Sequence, residues 1–339
     1  MTAATASWAP YRLNFRFEAR TSRERMRVKD TYFVRVCRGR RVAYGECALF
    51  RGLSADDTPD YEERLSYFCH HLDELPECGY SSIRFGLETA LRNLDASAGD
   101  GWGGTAIPIN GLVWMGDKSL MAERIEAKLA DGFKVLKLKI GGIDFEDELD
   151  LLDAVRARFS PAELEIRLDA NGSFRPDRAL QCLERLSTYS IHSIEQPVAA
   201  KQPSAMRHIC RHSPIPVALD EELIGCTSME EKRQMLDYIH PSYIILKPAL
   251  CGGLSGAEEW ADAAESASIP YWFTSALESN IGLDAIARTA ISRGIDIPQG
   301  LGTGELYTNN IISPISRIGA SLHYDTGRRW EIPQLPWNI

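Results

Sequence analysis

From about residue 106 the chain alternates two kinds of segment: short apolar runs that end in a polar side chain, and longer stretches with apolar residues every three or four positions. The runs cover 106–110, 135–139, 164–169, 191–195, 215–220, 243–247, 271–275 and, more weakly, 297–302, and they predict eight strands. Between them SLMAERIEAKLADG, FEDELDLLDAVRARF, RPDRALQCLERLS, MEEKRQMLDYI, AEEWADAAESA and GLDAIARTAISRG read as helices, several opened by capping residues and closed by Gly or Pro. Such alternation implies an α/β fold of parallel strands joined by crossovers, and eight strands are the number that closes into a barrel. A doubly wound open sheet is the other arrangement. No GxGxxG follows the first strand, and polar residues end nearly every strand rather than gathering at one switch point, which favours the barrel.

Residues 1–105 follow a different pattern. YRLNFRF (11–17) and TYFVRV (31–36) alternate, RVAYGE follows at 41–46, and helical stretches run over 59–75 and 82–94, which together predict a small α+β domain. Between the first two strands, 20–30 (RTSRERMRVKD) is polar, Arg-rich and longer than a tight turn needs, so it reads either as a mobile flap over a site or as a solvated loop. The expected organisation is an α+β domain over 1–105, a barrel over 106–316, and a tail over 317–339, with Trp330 and Trp337, that packs back on the first domain.

Composition narrows the function. Apolar residues make up 44% of the 339 and charged ones 25%, which excludes disorder, collagen and coiled coil as the main state. A net charge of −9 disfavours nucleic acid and anionic membranes and favours a small-molecule partner, with oligomeric state left open. No run is long enough to span a bilayer and the opening residues lack an apolar export region, so a cytoplasmic protein is expected. Eight cysteines without a CxxC pair exclude a zinc ribbon or redox motif and read as reduced.

In a barrel the strand ends converge on one mouth. Those ends carry Lys137 and Lys139, then Asp169, Glu195, Asp220 and Lys247, with successive spacings from Lys139 of 30, 26, 25 and 27 residues, each about one βα unit. Any one of them alone is more often a helix cap, a turn residue or a surface charge than a catalytic group. The same place on five successive strands is hard to obtain from independent caps. Three adjacent carboxylates need positive charge among them, and an oxygen-only donor set points to Mg²⁺ or Mn²⁺. Lys137 and Lys139 share a strand face, and Lys247 stands across the mouth. A carboxylate substrate between two lysines and a cation suits removal of an α-proton, because nearby positive charge lowers a lysine's pKa. Glu221 and Glu222 read as supporting or capping residues, and the seven scattered histidines receive no role.

Ten segments then carry a resemblance: YGEC, IRFGLETAL, IPINGLVWMG, LKLKIGG, RLDANGSF, HSIEQP, IPVALDEELIG, YIILKPALCGG, FTSALESNIGLDAIA and GLGTGELYTNN. In these the chain resembles the enolase superfamily and, within it, the o-succinylbenzoate synthases of menaquinone biosynthesis. The resemblance implies a capping domain over a modified (β/α)7β barrel of the TIM type, with Asp169, Glu195 and Asp220 as Mg²⁺ ligands. It implies that Lys139 takes the α-proton of 2-succinyl-6-hydroxy-2,4-cyclohexadiene-1-carboxylate and then protonates the departing hydroxyl in a syn elimination. Lys247 would stabilise the enediolate, and Lys137 would keep the pKa of Lys139 low and contact the carboxylate. Arg167, Ser275, Gly300 and Gly302 are the implied substrate contacts, and 20–30 takes the place of the family's lid. An N-acylamino acid racemase or dipeptide epimerase on the same scaffold, using both Lys139 and Lys247, is the enzymatic alternative. A non-catalytic barrel is the alternative of another class, and a Schiff-base aldolase through Lys247 is disfavoured by the three acids.

Overall fold

The computed structural model describes residues 3–20, 25–96 and 101–338. The chain opens with three strands, β1 (Thr5–Arg20), β2 (Arg25–Arg38) and β3 (Arg41–Cys47), paired antiparallel in that order, followed by helices α1 (Tyr61–His70) and α2 (Ser81–Asp95). The hairpin corrects the expectation for 20–30. Residues 25–30 are strand, paired as far as Ala19 with Met26 and Arg20 with Arg25, while 21–24 lie outside the described residues. Charged side chains do not end this ladder because they pair across it: Arg12 with Asp30 at 2.6 Å and Arg27 with Glu18 at 3.2 Å.

The YGEC segment has a packing reason. A Cβ on Gly45 would lie 1.9 Å from the Gly86 carbonyl oxygen, and one on Gly86 would lie 2.4 Å from Cys47 Sγ, so β3 and α2 meet backbone to backbone. Gly45→Ala is expected to destabilise the protein by about 3 kcal/mol, the upper range for overpacking, as measured by denaturant unfolding.

The rest of the chain runs β4 (Ile107–Pro108), β5 (Gly111–Val113), α3 (Lys118–Ala130), β6 (Val135–Lys139), α4 (Phe145–Arg156), β7 (Glu165–Asp169), α5 (Pro176–Ser187), β8 (Ser193–Glu195), α6 (Pro203–His212), β9 (Val217–Leu219), α7 (Met229–Ile239), β10 (Tyr243–Leu246), α8 (Gly253–Ser266), β11 (Tyr271–Phe273), α9 (Asn280–Ser292), β12 (Ile315–Ile318) and β13 (Ser321–Tyr324). Strands β5 to β11 form one parallel sheet in chain order.

The sheet closes through a very short eighth member. Gln299 pairs in parallel with Ile109 and Gly300 with Thr274. Four hydrogen bonds of 2.9–3.0 Å tie these two residues to Pro108, Asn110, Phe273 and Ser275. The expected first strand over 106–110 is divided: 107–108, where Pro108 has no N–H to give, pairs with β13 outside the barrel, 108–110 bonds the closing strand, and 111–113 pairs with β6.

The tail divides. β12 and β13 form a hairpin on β4, and the residues after them pack against the first domain: Trp330, Ile332 and Leu335 join the apolar cluster around Phe33, Asn338 pairs with Trp8, and Trp337 packs on Tyr44 under the Arg35 guanidinium. The first domain is clamped to the barrel along α2 and α8. Gly252 N donates to Ser81 Oγ at 3.0 Å, Ser255 N to Glu88 at 3.0 Å, and Arg92 grips Glu258 with both guanidinium arms at 2.6 and 2.9 Å. The eight cysteines are free thiols, and among the described residues no helix is long and apolar enough to cross a membrane.

Candidate active site

Parallel register places the key residues side by side at the strand ends: Lys139 is level with Asp169, and Asp169 with Glu195. Asp220 follows β9 directly and Lys247 follows β10. Lys137, Lys139, Asp169, Glu195 and Asp220 are each more than nine-tenths buried, and the Lys247 side chain is 12% exposed. Acids and lysines interleave. Lys137 Nζ lies 2.9 Å from Asp169 and 2.5 Å from Glu195; Lys139 Nζ lies 2.9 Å from Asp169; Lys247 pairs with Asp220 and stands 3.7 Å from Glu195.

The titration behaviour follows from this mixture. Burial drives the Asp169 carboxyl up, but the three ammoniums outweigh it and hold it well below the carboxylate range. Burial and the charge of Asp169 push Glu195 well above that range. Burial lowers Lys137 and Lys247, yet the surrounding acids prevail and both are held firmly as ammoniums.

Two residues absent from the expected set support Lys139. Asn171 Oδ1 accepts from Lys139 Nζ at 2.7 Å, and its amide donates to Glu221 at 3.1 Å. Its φ of 46° is one that Asn tolerates, and the Asn-Gly of DANG was the available signal. Glu148, on α4, accepts from Gly141 N at 2.6 Å and Gly142 N at 3.3 Å, pinning the loop that follows Lys139. Burial pushes its carboxyl up to about 7 from 4.5. Between those values the folded state binds more protons than the unfolded, so this group makes stability fall as pH rises through the window and contributes no slope above it. Glu148→Gln should flatten that slope, as read by unfolding midpoints from about pH 4.5 to about pH 8.

These strand ends open into a cavity under the first domain. Lys137, Lys139, Asn171 and Lys247 line one end, Phe50 and Leu53 of the first domain roof it with Trp114 beside them, and Ser275, Gly300 and Gly302 line the other end. Lys139 Nζ also faces the Trp114 ring, 5.8 Å from its centroid.

Arg167 is a correction. It lies one layer below Asp169, where its guanidinium bonds Glu165 at 2.7 Å and the Pro298 carbonyl at 2.9 Å over the Trp272 ring, so it faces the opposite end of the barrel from the mouth. Two residues along a strand keep the same face but change depth. The Ser275 hydroxyl reaches the cavity wall already engaged: it donates to Glu278 at 2.5 Å and accepts from Leu277 N at 3.1 Å and Glu278 N at 3.3 Å.

Residues 120–300 match the enolase C-terminal domain-like family. The chain is 41% identical to the o-succinylbenzoate synthase of Desulfotalea psychrophila, over 95% of this chain and 99% of that protein. It belongs to the o-succinylbenzoate synthase family of the enolase superfamily. The crystal structure of MenC from Desulfotalea psychrophila superposes with a TM-score of 0.83 at 39% identity, covering 95% of this chain and 100% of that one. A dipeptide epimerase from Enterococcus faecalis, complexed with Mg and a dipeptide, shares the superfamily fold with a TM-score of 0.83 at 17% identity, over 96% and 97% of the two chains.

Proposed function

We infer that this chain is a cytoplasmic, Mg²⁺-dependent o-succinylbenzoate synthase, a hydro-lyase that dehydrates 2-succinyl-6-hydroxy-2,4-cyclohexadiene-1-carboxylate to o-succinylbenzoate. The observation that carries the reading is near-full-length identity of 41% to a synthase in a chain whose lysines and acids meet at one barrel mouth.

As placed, the acids are drawn to lysines, and among the described residues no three His, Cys, Asp or Glu side chains are gathered closely enough to hold an ion. The donor chemistry nevertheless fits a hard divalent cation. Three carboxylates stand on neighbouring strands, and Glu195 Oε1 is buried without a hydrogen bond. Asp169, Glu195 and Asp220 would hold that cation, which supplies positive charge opposite the substrate carboxylate and so acidifies the adjacent C–H.

Lys139, as the free amine, takes the ring proton α to the carboxylate. As the C–O bond to the ring hydroxyl breaks, the same Nζ returns a proton to the departing oxygen, and the products are water and the aromatic ring. Lys247 and Lys137 stay charged and stabilise negative charge developing at the carboxylate. Phe50, Leu53 and Trp114 line the cavity with apolar surface that would keep water from the reacting atoms.

A second reading, racemisation of an N-acyl amino acid, is favoured by the placement of Lys139 and Lys247 along one row of acids. One assay separates the two. Purified protein with Mg²⁺ should aromatise the cyclohexadiene carboxylate, and Lys247→Ala should leave α-proton exchange of both enantiomers of an N-succinyl amino acid equally low. No aromatisation, with one-sided exchange in the variant, would establish the racemase.

A further inference from the structure

The cavity wall farthest from the acids is the seam where the barrel closes, since the short closing strand lies four positions around from β8 and Glu195. Three polar side chains at this seam have a buried oxygen without a hydrogen bond among the described residues: Asn110 Oδ1, Thr274 Oγ1 and Thr303 Oγ1. All three residues line the cavity, and they are only 2%, 7% and 3% exposed.

A buried, unpaired amide or hydroxyl is unfavourable for folding, and native proteins keep few of them. Three on one wall of one cavity are therefore a pattern that points to a ligand. The backbone beside them is cut to fit: a Cβ on Gly300 would fall 2.4 Å from Thr274 Oγ1, so only glycine there leaves the hydroxyl its place. Ser275, the nearer residue by sequence expectation, has no spare hydrogen-bonding capacity of this kind.

The chemistry of the wall selects the group it would take. The charged residues lining the cavity, Lys137, Lys139 and Lys247, belong to the acid end, and the seam offers neutral donors and acceptors. The two free hydroxyls can each donate to an uncharged carbonyl oxygen, whereas a carboxylate calls for a cation; Asn110 Oδ1 can only accept. The three residues also sit in INGLVWMG, FTSALES and GLGTG, the segments whose sequence points to the synthase.

We propose that Thr274 and Thr303 form the subsite whose hydroxyls donate to the ketone oxygen of the substrate's acyl arm, beside the acceptor Asn110 Oδ1, and so decide which ring carboxylates the site accepts. This rests on the synthase reading. The hydroxyls contribute binding rather than proton transfer, and the protein carries them at some cost in stability.

The test is Thr274→Val and Thr303→Val, each of which exchanges a hydroxyl for a methyl of the same shape. Four quantities are read: KM, kcat, inhibition by o-succinylbenzoate and by benzoate, and the thermal midpoint. Each variant is expected to keep or raise the midpoint and hold kcat within about threefold. KM should rise roughly tenfold, and o-succinylbenzoate, which has the arm, should inhibit about tenfold more weakly, while benzoate, which lacks it, inhibits as before. An unchanged KM with a raised midpoint would make the hydroxyls mere core defects and overturn the proposal. So would an equal loss of benzoate inhibition, a fall in kcat alone, or lowered midpoints in both variants, which would assign the hydroxyls to the fold. Absence of turnover in the unsubstituted chain is a separate result: it overturns the synthase reading before any substitution is made, and this inference with it.

Discussion

Lys139→Ala is expected to lower kcat by about 10³-fold or more with the fold intact, because the proposed mechanism gives both proton transfers to its Nζ. The fold should survive because Asp169, the acid that Lys139 pairs with, keeps Lys137 at 2.9 Å and is not left as an isolated buried charge. Asn171 loses its ammonium partner but retains Glu221. Aromatisation measured alongside circular dichroism decides the matter, and a folded variant with more than about a tenth of the parent rate would remove Lys139 from the role of base. Lys139→Arg should not restore activity, since a guanidinium does not give up a proton near neutral pH.

The second large effect concerns the acids. Mg²⁺ at about a hundred times its Kd should stabilise the parent by about 2.7 kcal/mol, seen as a raised unfolding midpoint. Glu195→Gln should abolish that shift and reduce kcat by about 10²-fold or more, because an amide oxygen is a poor substitute for a carboxylate toward a hard cation. Equal Mg²⁺ shifts in parent and variant would exclude Glu195 from the ligand set. A chelated sample of the parent should match the variant's unshifted midpoint.

The parts of this site that could be read from sequence are those written once per structural unit. Lys139, Asp169, Glu195, Asp220 and Lys247 recur at intervals of one strand and helix, and a barrel converts that period into proximity. Period alone does not give depth: Arg167 shares a face with Asp169, yet it fills the opposite end of the barrel from the mouth. The charged stretch 20–30 resembled a loop because strand propensity is weak in Arg and Lys, whereas cross-strand ion pairs on an exposed ribbon supply what propensity lacks.

Closure was hardest to foresee. The eighth strand is expected only weakly, at 297–302, because just two of those residues, 299 and 300, pair, and they depend on partners at 108–110 and 273–275. Glu148 and Asn171 act through a backbone loop and one hydrogen bond, neither of which has a period. The helix PSAMRHICRH is missing from the expected set: its leading proline and the Met206 and Ile209 spacing are the signals it offers, and its largely polar surface leaves them weak.

That two-residue closure has a kinetic meaning. The hydrogen bonds of Gln299 to Pro108 and Asn110 join segments from opposite ends of the barrel sequence, while those of Gly300 reach the preceding strand, so the ring can be completed only after the other strands are arrayed, and it is held by few bonds once complete. In native-state hydrogen exchange the amides of Asn110, Gln299 and Gly300 would then belong to the first cooperative unit of the barrel to open, ahead of those in β6 to β8. Because the same seam walls the ligand cavity, occupancy of the cavity and the lifetime of the closed ring are thermodynamically linked, and the exchange rate at these few amides becomes a gauge of binding that needs no turnover.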